Sequence, residues 1–187
     1  MLEHGRLTLL QIGAFDGADD DVSRLLDRHP VRGVLVEPQP RAFALLEERY
    51  AHREELTLIN AAVDRDSGTR TLYTTAEDPS QTASFDRQHL IRHGVLASEI
   101  RAVQVPCRTI EQILAEGGLD SVDFIQIDAE GHDCAIIDAI DLERFAPRIL
   151  RFEHRHVPDR HLTACLLRLA DHGYRFWAEK ADVIAVR

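Results

Sequence analysis

Two places in the chain set several ionisable side chains directly behind an apolar run. Val122 to Ile127 passes into Asp128-Ala129-Glu130-Gly131-His132-Asp133, and Arg148 to Phe152 passes into Glu153-His154. Carboxylates held close together raise one another's pKa and can act as general bases. A histidine, here His154, can also accept a proton. A divalent metal is compatible with this mix of oxygen and nitrogen donors, but the spacing fits no specific metal motif and none is predicted.

A third place is Leu7 to Gly17, LTLLQIGAFDG, followed by Asp19, Asp20 and Asp21. It reads as a buried strand, a tight glycine turn and a helix N-terminus. Such a turn lets a nucleotide-like ligand approach the backbone, with Gly13 and Gly17 expected to supply the room. The third glycine of the dinucleotide fingerprint is missing, and the carboxylates at the helix start repel a pyrophosphate. A ligand with a cationic group and no phosphate, such as S-adenosylmethionine, suits the turn better. Glu37 ends the next apolar run about twenty residues after Gly17, the usual place of an acid that accepts hydrogen bonds from ribose hydroxyls. Pro38 then turns the chain away, which is expected to fix Glu37 at the rim.

These groups must be gathered by the elements between them. Strand and helix patterns alternate from end to end, which predicts an α/β fold with a mostly parallel sheet and helices on both faces. Strands are expected at Leu7 to Ile12, Gly33 to Glu37, Leu56 to Asn60, Val122 to Ile127 and Arg148 to Phe152, with Tyr174 to Trp177 and Val183 to Val186 pairing as a terminal antiparallel hairpin. In open α/β sheets ligands bind beyond the carboxyl ends of the strands, where all the acids above would meet. Asp64 to Arg108 breaks the pattern and reads as an insertion or elaborated crossover within a single domain spanning 1–187. Inside it, Asp78 to Phe85 is expected to be a mobile polar loop, and Gln88 to Ile100 a helix interrupted at Gly94. His89, His93, His161 and His172 are expected at the surface, His156 near a substrate mouth, Ser84 within reach of the site and Trp177 in the core.

The 187 residues are 44% hydrophobic, enough for one globular core. The net charge of −10 argues against a nucleic-acid partner. Cys107, Cys134 and Cys165 are odd in number and widely spaced, as reduced, mostly buried thiols of a cytoplasmic protein would be. No signal peptide and no apolar run of membrane-spanning length is found, so no membrane partner is expected.

Ile12-Gly13-Ala14-Phe15-Asp16-Gly17, Val36-Glu37-Pro38, Asn60-Ala61-Ala62-Val63, Ile127-Asp128-Ala129-Glu130-Gly131-His132-Asp133 and Phe152-Glu153-His154 together resemble the FkbM-type S-adenosylmethionine-dependent methyltransferases. The resemblance runs from Leu7 to about Arg155, and Asp-x-Glu-Gly is its most specific block; Asp133 stands where the family often has Glu. It implies a class I methyltransferase (Rossmann-like) fold, with a seven-stranded sheet whose last strand is antiparallel. It implies O-methylation of a hydroxyl on a sugar or natural-product small molecule, with S-adenosylhomocysteine as product.

Carried over by position, Gly13, Asp16 and Gly17 would hold the methionine part, Glu37 the ribose, and Asn60 and Ala61 the adenine. Gln11, Ala14 and Pro38 would flank the same cofactor, and Asp128, Glu130, Glu153 and His154 would line the reacting centre. Many relatives carry N-terminal helices over the cofactor. With six residues before the first strand, this chain is expected to have an open site, a lid built from Glu77 to Leu96, or a cover from a partner subunit or homodimer. Methylation of a peptide carboxylate or amine, a nicotinamide oxidoreductase and a non-catalytic scaffold of the same fold are the competing readings.

Overall fold

The computed structural model describes residues 6–18, 20–76 and 79–187, so Asp19, Glu77 and Asp78, with their parts in the acidic helix start and the lid, lie outside the described residues. The first half alternates β1 (Leu7–Ile12), α1 (Asp21–Arg28), β2 (Val31–Val36), α2 (Pro40–Tyr50) and β3 (Leu56–Ile59). An irregular segment follows, with β4 (Ala62–Val63), β5 (Gly68–Thr74), α3 (Arg87–Arg92) and β6 (Arg101–Arg108). Alternation resumes with α4 (Ile110–Glu116), β7 (Phe124–Ile127), α5 (Asp133–Ala139), β8 (Ile149–Glu153) and α6 (Asp159–Asp171), then β9 (Arg175–Glu179) and β10 (Asp182–Val186).

Seven strands form one sheet in the order β3-β2-β1-β7-β8-β10-β9. All pairs from β3 to β8 are parallel, and β10 runs antiparallel to both β8 and β9. The central position of β1 explains its composition. It is paired on both sides and covered on both faces, so Thr8 to Ile12 are all buried. One face packs Leu10, Val34, Ile125 and Leu150 against α4, α5 and α6; the other packs Leu9, Leu35 and Val31 against Val22, Leu26 and Leu46 of α1 and α2. The three cysteines are free and buried. Among the described residues, no helix is long and apolar enough to cross a membrane.

The segment between β3 and α4 folds into a three-stranded sheet of its own, β4-β6-β5, around Ala62, Leu72, Val105 and Cys107. Its helix is shorter than the expected Gln88 to Ile100. Gly94 takes φ +84°, Val95 N–H returns to the Leu90 carbonyl at 3.1 Å, and the helix ends at Arg92. Residues 79–85, before α3, are tied to the rest of the domain. Gln39 exchanges two hydrogen bonds with Ser80, of 2.9 and 3.0 Å, and Ser84 pairs with Tyr73. Trp177 is 53% exposed, because β9 is the edge strand and every residue of it faces solvent.

Candidate active site

The carboxyl ends of β1, β2 and β7 meet at one edge of the sheet. Gly13 and Ala14 both donate to the Val36 carbonyl at 3.0 Å, and Asp128 N–H donates to the Ile12 carbonyl at 2.9 Å. At Gly13, φ is +79° and a Cβ would lie 1.9 Å from the Asp128 carbonyl oxygen. At Gly17, with φ +66°, a Cβ would lie 2.4 Å from the Tyr50 ring and 2.8 Å from Leu46. The missing Cβ at these two glycines makes room for the protein itself: Gly13 lets the ends of β1 and β7 converge while its backbone still lines the cavity, and Gly17 lets α2 close on the turn. Tyr50 completes that contact by donating its hydroxyl to the Gly17 carbonyl at 2.8 Å.

A cavity of about 520 Å³ lies just beyond this junction. Ile12 to Asp16, Asp20, Glu37 and Pro38 form one wall; Ala61 to Val63 form another; Ser80 to Phe85 contribute from the loop, and Asp128 to Glu130 with His132 close the far end. Of its ionisable side chains, Asp16, Asp20, Glu37, Asp128 and Glu130 are acidic, and no Lys or Arg is among the described residues that line it. Phe15 and Glu130, both on the wall, hold a left-handed backbone with φ +49°, which non-glycine residues rarely adopt.

Glu37 sits deeper than the rim. It is buried, its Oε2 accepts from Phe15 N–H at 2.9 Å and its Oε1 from Gln39 N–H at 2.8 Å. Loss of hydration pushes its carboxyl up to about 7, against the pull of those two donors. Asn60 does not face the cavity; its amide donates to the Glu37 and Pro38 carbonyls and ties β3 to the end of β2. Gln11 also lies off the wall, buried, with its amide 2.6 Å from the Asp20 carboxylate, which in turn caps α1 by accepting from Ser23 N–H. Asp16 accepts from Ala18 N–H at 3.0 Å.

The Asp-x-Glu-Gly block is organised from below by Asp133. This side chain is fully buried, accepts from Ala129, Gly131 and Glu153 N–H groups at 3.2–3.4 Å, and is pushed up to about 8, chiefly by burial and then by Asp128. It fixes the turn from which Asp128 and Glu130 project. Asp128 is open to the cavity, yet the enclosing walls exclude enough water to raise its carboxyl above the ordinary range. His132 lines the same end with Nε2 3.3 Å from Asp64 Oδ1, and burial lowers its pKa although Asp64 opposes this. Ser84 lines the cavity and donates to the Glu130 carbonyl at 2.9 Å.

Glu153 and His154 are not on this wall. His154 N–H is drawn to the Ala181 carbonyl in the β9–β10 turn, and its Nε2 is buried without a partner. Glu153 faces a second cluster, with Oε2 3.7 Å from His156 Nε2. Burial, then Asp128, pushes Glu153 up to about 7. The Glu130 carboxylate also belongs there, with Oε2 3.0 Å from His89 Nε2 and 3.9 Å from His156 Nε2. It is pushed up to about 8 by burial, then by Asp128, Glu153 and Asp133. His89 is thus a buried residue of this cluster, 1% exposed, where a surface position was expected. Burial, then His93 and His156, hold its imidazole down to about 4. The available signal was the spacing of His89 and His93, four apart and so on one helical face.

Comparison with known proteins follows the same lines. The chain is similar to the crystal structure of methyltransferase FkbM from Methylobacillus flagellatus KT, with TM-score 0.60 and 14% identity, over 98% of this chain and 44% of that one. The chain thus spans less than half the length of that protein. A looser likeness, TM-score 0.46 and 17% identity, is to precorrin-6y C5,15-methyltransferase from Geobacter metallireducens GS-15, over 97% of this chain and 78% of that one. No curated protein matches the sequence. The family model of the methyltransferase FkbM domain matches residues 11–176, nearly the whole chain, and the chain belongs to that family.

Proposed function

We propose that the chain transfers a methyl group from S-adenosylmethionine to a hydroxyl oxygen of a sugar or natural-product small molecule. The observation that carries this reading is the makeup of the main cavity: five Asp and Glu side chains, of which burial raises Glu37 to about 7 and Glu130 to about 8, and no Lys or Arg among its described residues, at the carboxyl ends of a parallel sheet. A sulfonium and an ammonium are attracted by such a wall, and a pyrophosphate is repelled. The methionine part lies along Gly13 to Asp16, ribose hydroxyls donate to Glu37, and the adenine lies against Ala61 and Ala62. The acceptor enters at the end closed by Asp128, Glu130 and His132.

In the transfer the acceptor oxygen displaces the sulfonium, forming a carbon–oxygen bond as the carbon–sulfur bond breaks. The oxygen's proton passes to Asp128, the carboxylate open to the cavity, or to His132 with Asp64 behind it. Alignment and exclusion of water do most of the rest. Residues 64–108 act within the same domain as an elaborated crossover whose loop covers the cofactor.

Calorimetric titration with S-adenosylhomocysteine and, separately, NADH tests the cofactor. Micromolar binding of the first and none of the second is expected; the reverse preference would refute the reading. Asp128→Asn is expected to lower turnover at least about tenfold with little change in cofactor affinity.

A further inference from the structure

A second cavity of about 480 Å³ adjoins the first and shares Ser84, Phe85, Glu130 and His132 with it. His89 and His156 line it, and the His93 imidazole packs against both. The ring centroids of His89 and His93 are 4.3 Å apart, and that of His156 is 4.7 and 4.6 Å from them. The donor atoms of His89, His93 and His156 all lie within 4.8 Å of one another, as do those of Glu130, Glu153 and His156. We propose that His89, His93 and His156, with Glu130 as the fourth donor, bind one divalent first-row transition ion of the zinc type. The proposal does not depend on the methyltransferase reading.

Geometry supports it first. Donors around a tetrahedral zinc, with bonds of about 2.0–2.1 Å, stand roughly 3.3–3.4 Å apart. The Glu130 carboxylate is 3.0 Å from His89 Nε2 and 3.9 Å from His156 Nε2, which brackets that spacing. His89, His93 and His156 form one group within 4.8 Å and Glu130 belongs to another with Glu153 and His156, so the Glu130 carboxylate or the exposed His93 ring must turn for all four to share one ion.

The second support is an orphaned atom. His89 is 1% exposed, and its buried Nε2 makes no hydrogen bond although Glu130 Oε2 lies 3.0 Å away. Leaving a buried ring nitrogen unsatisfied is unfavourable. A metal ion would use that lone pair. The third support is orientation. His93 Nδ1 lies 2.8 Å from the His89 carbonyl, which fixes the N–H there and leaves Nε2 as the lone pair. Metal-bound histidines are commonly held this way by a backbone carbonyl.

The donor set also selects the ion. Three neutral imidazoles and a carboxylate suit zinc, cobalt or nickel, whereas magnesium and calcium prefer all-oxygen sites. The donors come from α3 in the inserted segment and from the loops after β7 and β8, so the ion would clamp that segment to the main sheet beside the active-site cavity.

The test uses tag-free protein stripped with a chelator and titrated with zinc against a chromophoric competitor at about pH 8, where free imidazole is neutral. Wild type is expected to take up one equivalent, to unfold at a higher temperature with zinc than without, and to give the intense visible bands of tetrahedral cobalt when cobalt replaces zinc. His93→Gln and His156→Ala are each expected to weaken zinc binding at least about tenfold. His52→Ala, in the exposed loop after α2, is expected to bind as wild type does. His93 is exposed at the end of α3, so its variant keeps the fold, which circular dichroism checks. Wild type without stoichiometric uptake, a double His93/His156 variant with unchanged affinity, or a pale octahedral cobalt spectrum would each overturn the proposal. These readouts follow the metal alone, so their failure leaves the cofactor reading untouched.

Discussion

Replacing Glu37 by Gln should destabilise the protein at acid pH and hardly at all at alkaline pH. Glu37 is 3% exposed and accepts one backbone N–H on each carboxyl oxygen. Glutamine has one acceptor oxygen; its amide nitrogen would face the N–H of Phe15 or Gln39. An unmet buried donor of this kind costs about 1–3 kcal/mol. That penalty applies at every pH. The wild type carries a second penalty that depends on pH, because burial raises its carboxyl from 4.5 to about 7. Below 4.5 the carboxyl is protonated in folded and unfolded chains alike, and its contribution is complete. As pH rises toward about 7 the unfolded chain ionises first, and stability is lost at about 1.4 kcal/mol per unit, some 3 kcal/mol in all.

Above pH 7 the loss of some 3 kcal/mol in the wild type matches or outweighs the variant's penalty of about 1–3 kcal/mol, so Glu37→Gln should be as stable as the wild type or more so. Urea denaturation followed by far-ultraviolet circular dichroism at about pH 5 and pH 8 measures both proteins. Other buried acids such as Asp133 titrate in both and drop out of the difference. A Glu37→Gln deficit equal at the two pH values would show that Phe15 and Gln39 keep the carboxylate ionised, and would refute the claim that burial dominates. Glu37→Ala should lower S-adenosylhomocysteine affinity as well, since it removes both the proposed ribose acceptor and the anchor of the Phe15 turn.

Gly13→Ala should cost more than about 3 kcal/mol in the same denaturation assay, because the Cβ meets the Asp128 backbone and φ is +79°; a loss below about 1 kcal/mol would mean that β1 and β7 separate easily. Tyr50→Phe removes only the bond to the Gly17 carbonyl and should cost about 0.5–1.5 kcal/mol, with ring packing retained. Gln39→Ala deletes both links to Ser80 and should speed amide exchange in residues 79–85, with weaker binding of S-adenosylhomocysteine. Unchanged exchange there would show that the loop is held by other contacts.

Much of this architecture was legible because local patterns carry it. The apolar runs that end in Gly13, Glu37 and Asp128 are strands paired on both sides, and a strand so placed must be apolar on both faces. Spacing alone put Glu37 beside the glycine turn. What spacing could not show is which partner fills a gap. Gly17 signals a close approach equally well whether a ligand or Tyr50 makes it. His89 lies 41 residues from Glu130 and 67 from His156 in sequence, and they meet only because the inserted sheet lays α3 against the ends of β7 and β8. Trp177 looked like core because aromatic residues in strands usually pack; the edge position of β9 in the sheet decided otherwise.

The loop over the main cavity is fastened at both ends, by Ser80 to Gln39 at the Glu37 end and by Ser84 to the Glu130 carbonyl and the Tyr73 backbone at the other. A flap hinged on one side swings open in a single motion, but a strap buckled on both sides must first undo a buckle. Undoing Ser80 bares the turn where a nucleoside would leave, and undoing Ser84 bares the acidic end where an acceptor would arrive. Under the proposed reading, one end of the loop lies beside the cofactor and the other beside the acceptor, and each is held by contacts of its own.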